Sequence, residues 1–500
     1  MERYSGILMP LSSLPSPHGI GTLGKAAYDF IDFLSASGQR YWQLLPLCPS
    51  SCGNSPYSSY STFAGEALYI DLDILASEGY LKSSEIEELE WGDDGEKTDY
   101  DLVLHNSDIL LRRAFERRFW LEKGRVTNFR KENRWVDDYS LYMALKKHFN
   151  MASWTEWPED IASRESQALE RYSRLLRDEA DYYAFCQYLF YAQWDKLHEY
   201  AVEKGIAFIG DMPIYVSLDS VDVWSEKRFF LLDEKNVPVE VAGVPPDAFT
   251  EEGQLWGNPL FDYDEMARDG YGWWIRRMDG ARRLYDTVRI DHFRGFESYW
   301  AVKYGEKSAK NGVWRTGPGM KLVGVFTSWF YDLHYIAEDL GIITDGVRQL
   351  LRDSGLPGMK VLQFAFDAEG ESDYLPHNCT ENSICYVGTH DNDTVMGWLE
   401  TESAENVEFA RDYMHITPDE GWCWGFIRTG MATRSRIFIV SMQDVLELPH
   451  SARMNTPGVA EGNWTWRMSH DAITPALTQK LLRYTQTYRR ARVKENEING

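Results

Sequence analysis

Short apolar or β-branched runs bounded by turn residues recur along the chain. They are "GILMPL" (6–11), "YWQLLPL" (41–47), "IAFIGDMPI" (206–214), "TVRIDHF" (287–293), "LHYIAEDLG" (333–341), "MKVLQFAF" (359–366), "ICYVGTH" (384–390) and "RIFIVSMQDV" (436–445), eight strand candidates in all. Near-continuous apolarity is the pattern of a strand buried on both faces, as in a parallel sheet covered by helices. Between the runs the period changes. Residues 24–38 bring Ala27, Phe30, Ile31 and Leu34 to one helical face and end at Gly38, which predicts a βαβ unit from Gly6 to Leu47. "ITDGVRQLLRDSG" (343–355) links the fifth and sixth runs in the same way. Eight strands alternating with helices predict an α/β fold, a (β/α)8 TIM barrel, for which about 250 residues suffice.

The chain has 500 residues, so the surplus must be insertions in a single catalytic barrel domain spanning 1–500. The larger one falls between the second and third strands. Residues 80–175 are charged and helical in period ("SDILLRRAFERRFWLEKG", "DDYSLYMALKKHF"), which predicts a mainly helical inserted subdomain. A loop-rich insertion is predicted at 215–285, where the glycines and prolines of "VAGVPPDAFTEEGQLWGNPLFDY" (241–263) exclude a long regular element.

Bulk properties narrow the function classes. With 44% hydrophobic and 26% charged residues, and no apolar run near the roughly 18 residues of a membrane span, the chain reads as a soluble globular enzyme. Its start, "MERYSGILMPLSSLP", reads as a first strand rather than a secretion signal, so the expected location is cytoplasmic. Six cysteines are too few to staple a chain of this size. A net charge of −25 repels phosphate backbones and acidic membranes, which disfavours nucleic acid and membrane as partners and suits a neutral substrate. The 19 Trp, 29 Tyr and 23 Phe supply flat faces suited to sugar rings.

In such a barrel the active site lies at the C-terminal ends of the strands. Five acids fall there: Asp211 in "FIGDMP", Asp291 in "RIDHF", Glu338 in "IAEDLG", Asp367 after "LQFAF" and Asp391 after "VGTH". Any one of them reads equally well as the N-cap of the next helix. Five together point to a common mouth. Arg289 shares a face with Asp291 through the two-residue period of a strand, and its charge favours an ionised aspartate. An ionised aspartate facing a glutamate that holds a proton near neutral pH is the division of labour of a retaining glycosidase. Asp291 would be the nucleophile and Glu338 the general acid/base, their carboxyls about 5–5.5 Å apart, with Asp391 favouring the oxocarbenium-like sugar.

A rival reading takes "DH" (291–292) with "THDND" (389–393) as ligands of a divalent metal. It is weakened because His292 alternates to the face opposite Asp291. For His292 a hydrogen-bonded packing role is expected, whereas His390, beside Asp391, has the stronger functional claim.

"VRIDHFRGF", "AEDLG" and "GTHDNDT", in that order, resemble the catalytic regions of the α-amylase clan. The finer resemblance is to the amylomaltases, the 4-α-glucanotransferases or disproportionating enzymes of glycoside hydrolase family 77. It extends through "GILMPLSSLPSPHGIGTLG", "SPYSSYSTFAG", "GDMPIYVSLDSVDVW", "GVPPDAFTEEGQLWGNPLFDY" and "RMNTPGVAEGNWTWR". The resemblance implies the same three catalytic roles for Asp291, Glu338 and Asp391. It further implies that Tyr57, Asp211, Arg289 and His390 line the subsite of the transferred sugar. It matches the family's lid loop to residues 243–258, with Asp247 and Trp256 near the acceptor, and makes Asp367 and Asn463 further sugar-binding positions. Cys52 stands where some members carry an aromatic that binds glucan away from the active site, a departure from the family pattern.

The three carboxylates serve water and sugar acceptors alike, and the lid decides between them. The expected activity is transfer of an α-1,4-glucan segment to the 4-hydroxyl of another maltooligosaccharide. The alternatives are an α-1,4-glucan hydrolase and a glucan-binding barrel with vestigial acids. No cofactor is required by this chemistry, and no calcium loop of the EF-hand kind is present in the sequence.

Overall fold

The structure is a computed structural model that describes residues 2–51, 53–92, 94–246, 251–459 and 461–491. Its core is a barrel of eight strands: β1 (Tyr4–Leu8), β2 (Tyr41–Gln43), β3 (Ala207–Pro213), β4 (Thr287–Asp291), β5 (His334–Ala337), β6 (Gly358–Val361), β7 (Ser383–Tyr386) and β8 (Ile437–Ser441). They pair in parallel in the order β6-β7-β8-β1-β2-β3-β4-β5. At the remaining seam the Ala337 N–H donates to the Pro357 carbonyl at 2.9 Å, so the ring nearly closes. The expected (β/α)8 barrel is the observed fold, and each strand lies within its predicted run or starts at most two residues before it.

Several strands are shorter than their apolar runs. After β6 the chain turns through a 3-10 segment, Leu362–Phe364, and after β8 it enters a short helix, Met442–Val445. Leu362, Met442 and Val445 remain buried there, because the top of a barrel covers its turns as well as its strands. Apolarity alone does not distinguish the two.

The helix Lys25–Ala36 buries Ala27, Phe30, Ile31 and Leu34, with Phe30 edge-on to Trp42 at 4.7 Å, and Gly38 follows with φ +74°. The helix Asp345–Ser354 is capped by Thr344 and ended by the left-handed Gly355. At Gly210 the chain requires glycine for space: a Cβ there would lie 2.1 Å from the Tyr285 ring, which packs on β3 directly behind Asp211.

Between β2 and β3 the chain forms helices Tyr100–Glu132, Trp135–His148, Ser166–Leu175 and Arg177–Lys204. The last of these packs its Trp194 on Phe208 of β3 at 4.9 Å, and it also grips the loop that follows β2. The Gln187 side-chain amide both donates to and accepts from the Gly65 backbone, each at 2.8 Å, and Gln193 treats Asp71 in the same way. Buried Lys146 pairs with Asp219 at 2.5 Å and ties the second helix to the loop that follows β3. The helical layer thereby holds the loops that border the mouth.

Within 241–263 the turn residues gave no strand signal, yet a β-hairpin forms there. Its arms, Glu240–Val244 and Gln254–Pro259, join Ser298–Lys303 and Val313–Thr316 in a four-stranded antiparallel sheet. The arms are short and glycine-bearing, and cross-strand pairing to segments distant in sequence, Gly243 to Trp300 for instance, supplies what local propensity lacks.

Candidate active site

Arg289 organises the mouth. In the parallel register it lies beside Asp211, and Pro213 lies beside Asp291. The Arg289 Nη1 donates to Asp211 Oδ1 and Oδ2, both at 2.6 Å, and to Asp291 Oδ1 at 3.1 Å. Its Nε contacts the Met359 sulfur at 3.4 Å. Asp211 is fully buried, whereas the Asp291 side chain keeps 28% of its surface. The arginine therefore neutralises Asp211 first and reaches Asp291 with what remains. Arg289 favours the ionised form of Asp291, but burial opposes it and pushes the carboxyl up to about 6.

Glu338, directly after β5, is buried. Its Oε2 accepts the His292 N–H and its Oε1 the Leu340 N–H, both at 2.7 Å, which fixes the side chain toward β4. Burial, opposed by Arg289 and reinforced by the charge of Asp291, raises Glu338 to about 7. The charge of Asp291 is one cause of the rise in Glu338, so an ionised Asp291 favours a protonated Glu338.

Asp391 is held well below the usual carboxylate range. Burial works against this, but His390 and a hydrogen bond from Asn455 outweigh it. The His390 Nε2 lies 3.3 Å from Asp391 Oδ1. Burial lowers the His390 pKa and the Asp391 charge more than restores it, so the imidazole lies above its ordinary value. The Tyr57 ring stacks on His390 at 4.9 Å, and its hydroxyl donates to Asp211 Oδ2 at 2.9 Å. Asp211, Arg289, Asp291, Tyr57, His390 and Asp391 thus form one contiguous cluster, and Glu338 faces it from β5.

Two further predicted positions bond within their own loops. Asp367 is exposed, and its Oδ1 accepts the Glu369 N–H at 3.0 Å in a turn. Asn463 closes its own loop, accepting from the Thr456 N–H at 2.9 Å and donating to the Val459 carbonyl at 2.8 Å. Asp247 and Cys52 lie outside the described residues.

Trp256 stands on the hairpin and meets His292 edge to face at 4.8 Å, with its indole N–H on Gln254 at 3.1 Å. His292 has a left-handed backbone, φ +53°, and burial lowers its pKa to about 3, leaving a neutral ring beneath Trp256. It packs as expected, but against an aromatic ring. The two histidines of the metal reading face different surroundings, and among the described residues no group of three His, Cys, Asp or Glu side chains is arranged to hold a metal ion.

Three residues at the mouth escaped the sequence reading: Arg453, Asn455 and Trp464. Trp464 packs near Tyr57 at 5.7 Å and His390 at 5.9 Å from a left-handed backbone, φ +65°, a conformation rare for so bulky a residue. The only signal for them was the family-like stretch "RMNTPGVAEGNWTWR".

An α/β barrel whose strand ends gather a pair of carboxylates on neighbouring strands, a third low-lying carboxylate, an arginine and stacked aromatic rings defines an enzyme of the glycoside-processing class. The sequence profile described as 4-alpha-glucanotransferase, glycoside hydrolase family 77, matches residues 9–474. The chain is 45% identical to the 4-alpha-glucanotransferase of Clostridium butyricum over 96% of its own length and 100% of that protein. It is also 45% identical to that of Streptococcus pneumoniae serotype 4 over 100% of its length and 99% of the relative's. The amylomaltase from Streptococcus agalactiae in complex with acarbose superposes with a TM-score of 0.96 at 41% identity, covering 98% of this chain and 100% of that one. The chain belongs to the 4-alpha-glucanotransferase family, glycoside hydrolase family 77. No helix among the described residues is long and apolar enough to cross a membrane.

Proposed function

We propose that this enzyme transfers a segment of an α-1,4-glucan to the 4-hydroxyl of another glucan or of glucose by double displacement with retention. The observation that carries the mechanism is the placement of two carboxyls at neighbouring strand ends: Asp291 bonded by Arg289 at 3.1 Å, and buried Glu338 fixed toward β4 by two backbone N–H groups at 2.7 Å. With Asp291 ionised and Glu338 protonated, the pair is charged as the first step requires. The Asp291 carboxylate attacks the anomeric carbon, the glycosidic C–O bond breaks, and the departing oxygen takes the proton of Glu338. In the second step the acceptor 4-hydroxyl gives its proton to Glu338 while its oxygen displaces Asp291 from the anomeric carbon. Asp391, ionised throughout, stabilises the positive charge that builds on the ring in both steps. Arg289 and Asp211 keep the base of the subsite neutral as a pair, and Tyr57 and His390 wall one side of it.

The hairpin at 240–259 supports transfer over hydrolysis. Trp256 rests on His292, the residue next to the nucleophile, so this arm reaches the mouth and can shelter the covalent intermediate from water. Its role as a lid over the acceptor belongs to this proposal, as does acceptor binding by Asp247. The acarbose complex of the S. agalactiae relative fits an α-glucan as substrate.

Purified enzyme given maltotriose should release glucose and build maltopentaose and longer chains. Maltose and glucose alone, with no lengthened product, would mean hydrolysis. In Trp256→Ala the ratio of reducing-end release to chain lengthening should rise about 10-fold or more, measured by product chromatography. An unchanged ratio would remove Trp256 from the sheltering role.

A further inference from the structure

The loop after β8 closes on Asp391 from behind. The Asn455 Nδ2 donates to Asp391 Oδ1 at 2.6 Å. Arg453 donates through Nη2 to the Asp391 carbonyl at 2.6 Å and through Nε to the Asn455 carbonyl at 2.8 Å. Its Nη1 also lies 3.5 Å from Asp393 Oδ2, which His450 Nδ1 meets at 2.6 Å. One guanidinium thus joins the backbone of the acid to the backbone of the asparagine that binds it. The His390 Nε2 approaches the same Oδ1 that Asn455 occupies. Two donors therefore converge on Oδ1, while 45% of the Asp391 side chain stays open to the mouth.

We propose that Asn455 is a positioning residue for the transfer reaction: its amide, preset by Arg453, fixes the Asp391 rotamer and leaves Oδ2 as the oxygen that meets the sugar. The inference rests on the transferase reading above. Its physical basis is that a carboxylate stabilising a short-lived cation acts only if it is oriented beforehand, and Asp391 follows a loop rather than sitting inside a strand. An amide suits this place. A carboxylate there would repel Asp391, and a hydroxyl would not span the gap.

The groups around the 391/455 pair are His390, Arg289, Asp291, Asp211 and Tyr57 on the mouth side, and Arg453, Asp393 and His450 behind. Asn455→Ala should lower kcat on maltotriose about 10²-fold with KM for the donor little changed, because ground-state contacts survive. Asn455→Asp keeps the shape and separates positioning from a structural role. At low pH the two aspartates share a proton, which restores the hydrogen bond; at higher pH both ionise and repel. The alkaline limb of its pH–rate profile should therefore move down by about one unit relative to wild type. An Asn455→Ala enzyme with kcat within about twofold of wild type would overturn the proposal. So would an Asn455→Asp enzyme that retains the wild-type profile shape, whatever its absolute rate. Wild-type enzyme that fails to lengthen maltotriose would instead refute the transferase reading, so the two failures are distinguishable.

Discussion

Asp291→Asn is expected to lower turnover of maltotriose by at least about 10⁴-fold while making the protein more stable. The loss follows from removing the carboxylate proposed to form the covalent intermediate. The gain follows from burial. The Asp291 carboxyl is raised to about 6 from an ordinary 3.8, so the folded state holds its proton more tightly than the unfolded chain does. Such a group contributes stability below about pH 4 that is lost as pH rises through about 6. Asparagine is neutral throughout and can still accept from Arg289, which remains neutralised by Asp211. The variant should thus match wild type near pH 4 and exceed it by on the order of 1 to 3 kcal/mol above pH 7, read as a higher denaturation midpoint. Equal stability at pH 7.5 would show that the buried carboxylate costs nothing in the fold. Residual activity above one part in a hundred would contradict covalent catalysis by this residue.

Glu338→Gln should cost about 10² to 10⁴-fold on maltooligosaccharides. With a glycosyl fluoride donor the first step should be nearly normal, because fluoride leaves without a proton. The wild-type rate should rise as Asp291 deprotonates near 6 and fall as Glu338 deprotonates near 7. In the glutamine variant the falling limb should vanish and the rising limb should stay in place, because Glu338 is still protonated and uncharged while Asp291 ionises. A falling limb that persists would assign that proton to another group. His390, raised by Asp391, is the neighbour to examine next.

The hairpin at 240–259 illustrates where reading a chain in isolation stops. Its arms pair with residues near 300, so their strand character is a property of the partner and not of the segment. Asp367 follows an apolar run as Asp291 does, but β6 ends early and the chain turns before the acid, so its exposure is set by that turn and not by a strand end. Asn455 and Arg453 lie in a stretch with no periodic pattern, and they matter only because the loop after β8 folds over the loop after β7.

The order of apolar runs by itself determined the eight-stranded α/β barrel, because strands buried on both faces and separated by helical periods have few other ways to pack. It also placed Asp211, Arg289, Asp291 and Glu338 at one mouth, since position at or beside the end of a parallel strand is a local property. The tertiary structure alone decided how charge is shared there. Arg289 bonds Asp211 more closely than Asp291, burial raises Asp291 and Glu338 together, and Asp391 is held low by His390 and Asn455. Those outcomes depend on distances of a few ångströms and on exclusion of water, and both arise only when strands distant in sequence are brought side by side.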